Sequence, residues 1–325
     1  MPHALPSTPG YQWRMRRRRL LPIVLGALLA SCSGEPAADV TATTVEVVDE
    51  VEPGTRNGTI ETADGARTYR LHVPPGIGES PVPLVVALHG GFGSGQQFAG
   101  ENGLEAVADG EGFVVVHPDG TAGPAGARTW NAGNCCGASA TQGVDDIAFV
   151  RDLVAQLEQE LPIDRARVYA VGHSNGGMLA YRLACEAADV FAAVGLQAGA
   201  LGVDTCQPAQ PVSLLHVHGT DDSNVPMAGG RGSGPSATDY RSVTASVEAV
   251  ATADRCVDEP AEATDTDEPG VRILAWSCPA GVEVQLATVE GGRHGWFGGR
   301  RAEGRDGPSA VDSSRLIWEF LDAPR

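Results

Sequence analysis

Ser174 stands at the centre of Gly172-His173-Ser174-Asn175-Gly176, after the apolar run Val168–Val171 and before a segment that continues through Met178, Leu179 and Tyr181. A serine on a tight strand-to-helix turn holds its hydroxyl clear of the backbone. The helix N-terminus behind it favours developing negative charge. The chemistry open to such a residue is attack on an acyl carbon, provided a base takes its proton. The five-residue pattern alone carries little in a chain with 42 glycines; its strand-to-helix setting is what raises it. All 23 basic residues are arginine and none is lysine. That excludes Ser-Lys dyads, Schiff-base chemistry and Walker A nucleotide sites, so the base has to be a histidine.

Where serine occupies such a turn, an acid follows along the chain and a histidine comes last. Of the eight histidines, His216 and His218 lie within the apolar run Val212–His218, and only His294 lies beyond it. His294 sits in the glycine-rich stretch Val289–Gly299, after a second apolar run. The acid is then expected in Gly219-Thr-Asp221-Asp222, directly after the first of those runs. Asp222 is favoured because Ser223-Asn-Val-Pro226 turns the chain there, and Asp221 stays open as the alternative. A further apolar run, Pro83–His89, leads into His89-Gly90-Gly91. A backbone N–H at Gly91, or at Phe92 in its place, would join that of Asn175 to hold an oxyanion.

Seven pieces occur in order: Leu88-His-Gly-Gly91, His117-Pro-Asp-Gly120, Trp130–Gly137, Gly143-Val-Asp-Asp-Ile147, Gly172–Met178, His218-Gly-Thr-Asp-Asp222 and Gly292-Arg-His294. On these the chain resembles the secreted polyhydroxybutyrate depolymerase, feruloyl esterase and acetylxylan esterase group of α/β-hydrolases, from about Gly58 to Asp322. The resemblance implies an α/β-hydrolase fold, a mostly parallel central sheet flanked by helices on both faces. It also implies ester hydrolysis through an acyl-enzyme on Ser174, with His294 as base and the acid at Asp222. Phe92, Trp130 and Trp296 are the candidate pocket side chains. The chemistry calls for no metal and no organic cofactor. The partner is a small or polymeric ester, either a polysaccharide-linked acyl group or a polyester. A cell-envelope acyltransferase and a non-catalytic carbohydrate-binding surface lipoprotein are the alternatives; the complete serine, acid and histidine set speaks against the second.

These side chains need a frame, and the hydropathy pattern supplies one. Apolar runs at Thr68–Val73, Leu84–His89, Phe113–His117, Arg167–Val171, Ala193–Gln197, Val212–His218, Val271–Trp276 and Val282–Val289 are expected strands. Helices are expected at Gln96–Ala108, Asp146–Glu160, Gly176–Glu186, Thr238–Ala251 and Ser309–Leu321, and the alternation predicts a mostly parallel sheet. Asp145 or Asp146 is expected to cap its helix.

The N-terminus reads as a processing signal. Arg14 and Arg16–Arg19 precede the short apolar core Leu20–Ala30, and Leu29-Ala30-Ser31-Cys32 resembles a bacterial lipobox. Residues 1–31 are therefore expected to be a lipoprotein signal peptide, with Cys32 carrying the lipid. Residues 32–57 are expected to form a flexible acidic tether, and 58–325 the esterase domain of an exported or cell-surface protein. Loss of residues 1–31 removes five arginines and no acid, which takes the net charge from −18 to −23. Such a charge argues against nucleic acid as a partner and against electrostatic docking on anionic lipid. Six further cysteines allow pairs at Cys185–Cys206 and Cys256–Cys278, leaving adjacent Cys135 and Cys136 bonded to each other or free. No Cys-x-x-Cys pair is present for zinc.

Overall fold

The computed structural model describes residues 52–63, 65–123, 126–257, 259–263, 269–300 and 311–323. The stretch expected to be a signal peptide, Cys32 and most of the expected tether lie outside these residues. Ten strands form one sheet: β1 (Gly54–Thr62), β2 (Gly65–Val73), β3 (Val82–Leu88), β4 (Val114–Pro118), β5 (Ile163–His173), β6 (Ala193–Gln197), β7 (Ser213–Gly219), β8 (Ala261–Glu262), β9 (Val271–Ser277) and β10 (Glu283–Val289). Their spatial order is β1-β2-β4-β3-β5-β6-β7-β10-β9-β8. The pairings from β4 through β10 are parallel, and the strands at both margins pair antiparallel.

The inner strands are continuous apolar runs because both faces are covered. Along β3, Leu84, Val86 and Leu88 face a layer made by α4 (Asp146–Glu160), α5 (Asn175–Glu186) and α6 (Val243–Ala253). Val85 and Ala87 face the opposite layer, made by α1 (Gly95–Asn102), α2 (Leu104–Glu111) and α7 (Ser313–Leu321). A short α3 (Gly137–Thr141) lies in the connection before α4.

Two expectations change, and one alternative left open is decided. The helix expected over Gln96–Ala108 is two, because Gly103 takes φ 77° and its left-handed backbone ends α1. The tether expected to run to residue 57 ends sooner, since β1 begins at Gly54 and pairs Thr55 with His72. Strand β1 is exposed along most of its length, so it carries little hydrophobic signal. Asp145, and not Asp146, caps α4, accepting from the Ala148 N–H at 3.0 Å. Asp146 is buried instead and receives Arg67 at 3.0 Å and the Asn131 N–H at 2.7 Å. Burial raises the Asp146 carboxyl above its ordinary range even with Arg67 beside it. The disulfides Cys185–Cys206 and Cys256–Cys278 are formed as expected, and Cys135 is paired with Cys136.

Candidate active site

Ser174 follows the end of β5 and is the N-cap of α5, with φ 54° and ψ −119°. A positive φ is costly for a residue with a Cβ. Neighbouring glycines make the turn sterically feasible: a Cβ at Gly172 would strike the Gly176 carbonyl, and one at Gly176 would strike the Leu88 carbonyl. The elbow is fixed from beside it by the Ser174 N–H, which donates to the Gln197 carbonyl at 2.9 Å.

The Ser174 Oγ lies 3.0 Å from His294 Nε2, and His294 Nδ1 lies 2.8 Å from Asp222 Oδ2. Asp222 is 4 % exposed, and its Oδ1 accepts from the N–H groups of Asn224 at 2.8 Å and Val225 at 2.9 Å. Burial alone would raise this carboxyl. The His294 bond and charge, together with the Val225 N–H, outweigh burial and leave it below the ordinary carboxylate range. An ionised carboxylate against Nδ1 requires Nδ1–H, which leaves Nε2 as the acceptor facing Ser174. Asp221 is exposed. Of the two acids left open by the sequence, the one in line with His294 is Asp222.

The remaining polar groups at the elbow are backbone N–H groups. Phe92 N–H is taken by the Arg128 carbonyl at 2.7 Å, so it cannot face a substrate. Gly91 N–H has no partner among the described residues, and a Cβ on Gly91 would lie 3.5 Å from the Asn175 Cβ. His89 explains how that N–H is aimed. Its Nε2 accepts from the Gly120 N–H at 2.9 Å, so Nδ1 must donate, and it does so to the Gly90 carbonyl at 2.7 Å. Gly90 C=O and Gly91 N–H belong to one peptide plane and point opposite ways. Holding the carbonyl inward therefore turns the N–H outward. Burial lowers the His89 pKa to about 4, which keeps the ring neutral in this role. The Asn175 side chain grips Trp130 by two bonds, Trp130 N–H to Oδ1 at 2.8 Å and Nδ2 to the Trp130 carbonyl at 3.1 Å.

A cavity of about 270 Å³ opens over Ser174, with Phe92, Cys135, Cys136, Val225 and Tyr240 on its walls. Phe92 is half exposed there. The two tryptophans expected in the pocket are not on its walls. Trp130 is fully buried, with its Nε1 donating to the His89 carbonyl at 2.9 Å; Trp296 is buried, with its Nε1 donating to Ser314 Oγ at 2.9 Å. Both indoles meet their single donor requirement inside the core, which is where large aromatics with a partner settle. Among the described residues no cluster of three metal-ligating side chains occurs, and no helix is long and apolar enough to cross a membrane.

Residues 67–231 match the family model described as esterase PHB depolymerase. The chain belongs to this esterase family. It is 31% identical over 282 residues to a putative esterase, NocK, of Nocardia uniformis subsp. tsuyamanensis, an alignment covering 81% of this chain and 76% of that protein. It is 30% identical over 265 residues to feruloyl esterase B of Piromyces equi, covering 78% of this chain but only 45% of that protein's length. Among solved structures, the acetyl xylan esterase from Aspergillus awamori aligns over 74% of this chain and 94% of its own, with a TM-score of 0.54 and 15% identity. That likeness is one of fold, and it is the α/β-hydrolase fold.

Within this esterase fold two further histidines lie under the acid. His216 and His218, both fully buried in β7, were legible in sequence only as a strand face. The His218 ring stands 3.6 Å from Asp222 Oδ2. Its i, i+4 spacing to an acid at a strand end was the signal available.

Proposed function

We propose that this member of the esterase family is a serine carboxylic-ester hydrolase, exported and held at the bacterial cell surface by a lipid on Cys32. The observation that carries the reading is the line Asp222–His294–Ser174, at 2.8 and 3.0 Å, on a strained elbow beside the free Gly91 N–H. His294 Nε2 takes the Ser174 proton as Oγ attacks the ester carbonyl. Asp222 keeps the proton on Nδ1 and stabilises the imidazolium. The N–H groups of Gly91 and Asn175 receive the oxyanion, and the α5 N-terminus adds its partial positive charge. His294 then protonates the departing alkoxide. Water, activated by the same ring, releases the acid and restores Ser174.

The cavity lies near the small end of small-molecule sites, which begin at about 300 Å³. It suits one acyl group, with the rest of a larger substrate outside. That favours an acyl ester carried on a polysaccharide, the kind of substrate named for the acetylxylan esterase/xylanase relative. Ser174→Ala is expected to abolish hydrolysis across p-nitrophenyl esters, methyl ferulate, acetylated xylan and polyhydroxybutyrate, and to prevent labelling by a fluorophosphonate. Turnover retained in Ser174→Ala would overturn the mechanism. Mass spectrometry of the mature protein tests the anchor: a lipidated N-terminal Cys32 is expected, and an unmodified N-terminus elsewhere removes that part of the reading.

A further inference from the structure

Behind the acid runs a chain of buried polar groups that the reaction itself does not use. Tyr181 Oη lies 2.7 Å from His216 Nδ1, His216 Nε2 lies 2.9 Å from His218 Nδ1, and His218 Nε2 lies 2.9 Å from the Val225 carbonyl. All three side chains are fully buried. The direction of every bond is fixed by its last member. A carbonyl only accepts, so His218 Nε2 donates. A neutral ring with one N–H must then accept at Nδ1, so His216 Nε2 donates. By the same step His216 Nδ1 accepts and the Tyr181 hydroxyl donates. Burial supports this pattern, holding both imidazoles below and the phenol well above their ordinary pKa.

The chain ends on the residue that holds the acid. Val225 gives its N–H to Asp222 Oδ1 and receives His218 on its carbonyl. It begins on α5, about two turns after Ser174. Read round, the path is closed. It runs from Ser174 through His294, Asp222, Val225, His218 and His216 to Tyr181, and returns to Ser174 along α5.

We propose that His218, backed by His216 and Tyr181, is a positioning clamp that registers the Asp222 turn against the nucleophile helix. Resting on the triad reading above, it adds residues that touch neither substrate nor the reacting atoms. With the ring lost, the buried Val225 carbonyl has no partner, the turn relaxes, and Asp222 moves relative to His294. A misplacement of about 1 Å in such a system costs about 10²-fold in rate.

The test measures kcat and KM on a p-nitrophenyl ester, per mole of folded enzyme, for His218→Phe, His218→Gln and Tyr181→Phe, with Ser174→Ala alongside. His218→Phe is expected to lower kcat about 10²-fold with KM within about twofold, and to slow fluorophosphonate labelling in parallel. His218→Gln keeps an N–H within reach of the Val225 carbonyl and is expected to recover at least tenfold of that loss. Tyr181→Phe leaves the final bond in place and is expected to cost less than His218→Phe, in kcat alone. Where His218→Phe does not fold, the Tyr181→Phe and His218→Gln values decide. Unchanged kcat in the folded variants, with only the melting temperature lowered, overturns the clamp. Equal losses for Gln and Phe overturn it as well. If Ser174→Ala remains active, it is the triad reading that fails.

Discussion

Asp222→Asn is isosteric, yet the structure dictates that it place the wrong atom on His294. Two backbone N–H groups, from Asn224 and Val225, converge on Asp222 Oδ1. In the asparagine variant that position must be filled by the amide oxygen, because an NH₂ there would face two donors. The NH₂ is thereby forced to the Oδ2 position, 2.8 Å from His294 Nδ1. Nδ1 must then accept, the ring proton moves to Nε2, and Ser174 faces an N–H where it needs a lone pair. The wrong tautomer costs about 10⁴ in kcat, or roughly 5.5 kcal/mol of transition-state stabilisation. Asp221 is exposed, so Asp221→Asn changes only surface charge and should keep most of the parent's rate. Steady-state hydrolysis of a p-nitrophenyl ester at neutral pH measures both. Circular dichroism and thermal melts check that the fold is intact. A folded Asp222→Asn that loses less than about tenfold would refute the tautomer argument, and a larger loss in Asp221→Asn would move the acid to the neighbouring position.

Two further outcomes are expected. His89→Leu removes the shorter of the two bonds that hold the Gly90 carbonyl, leaving only the Gly93 N–H at 3.1 Å; kcat should fall by up to about 10²-fold, the usual cost of an oxyanion donor, with KM little changed, and an unaltered kcat would show that the Gly93 bond alone holds the peptide. Asp254 is buried, and burial raises its pKa to about 6, so the neutral carboxyl contributes stability below about pH 4 that is lost as pH rises through 6. Asp254→Asn lacks that loss, so its stability relative to the parent should grow by up to about 3 kcal/mol between pH 4 and 7.5 in urea titrations; parallel curves would contradict it.

Much of the framework was legible because the inner strands of a covered parallel sheet are unbroken apolar runs. Ala193–Gln197 is identical in expectation and structure, and the other seven expected strands agree within a few residues. What escaped has physical causes. Strand β1 is polar because it is a margin, and its partner β2 is visible only because its inner residues are buried. Gly103 carries no side-chain signal of the left-handed backbone that divides α1 from α2. Asp222 and His294, which the structure lines up with Ser174, were legible because chain order and strand position leave few residues eligible. The pocket was not, since its walls come from loops around Phe92, Cys135 and Tyr240 that no periodicity governs. Trp130 and Trp296 were chosen for size, and size equally suits the interior where each finds its acceptor.

The choice between the two aspartates follows from how the parallel sheet ends. Strands β7 and β10 pair with Gly219 opposite Val289, so the acid loop and the histidine loop leave the sheet side by side. They are then joined to each other. The Thr220 N–H donates to the Val289 carbonyl at 3.0 Å, the Gly291 N–H to Thr220 Oγ1 at 2.9 Å, and the Asp221 N–H to the Gly292 carbonyl at 2.9 Å. With its backbone N–H bound to the histidine loop, Asp221 turns its side chain to solvent. The next residue turns inward, where the Asn224 and Val225 N–H groups await its carboxylate. From the far side, Gln197 at the end of β6 donates through Nε2 to the Gly295 carbonyl, fixing the loop just past His294. That same Gln197 accepts the Ser174 N–H on its own carbonyl. His294 and Ser174 are thus referred to one residue of β6, and His294 and Asp222 to one strand pair. Ser174, Asp222 and His294 can sit 48 and 72 residues apart in sequence and still meet within hydrogen-bond distance, because each is carried by the end of a parallel strand and their loops are bonded to each other.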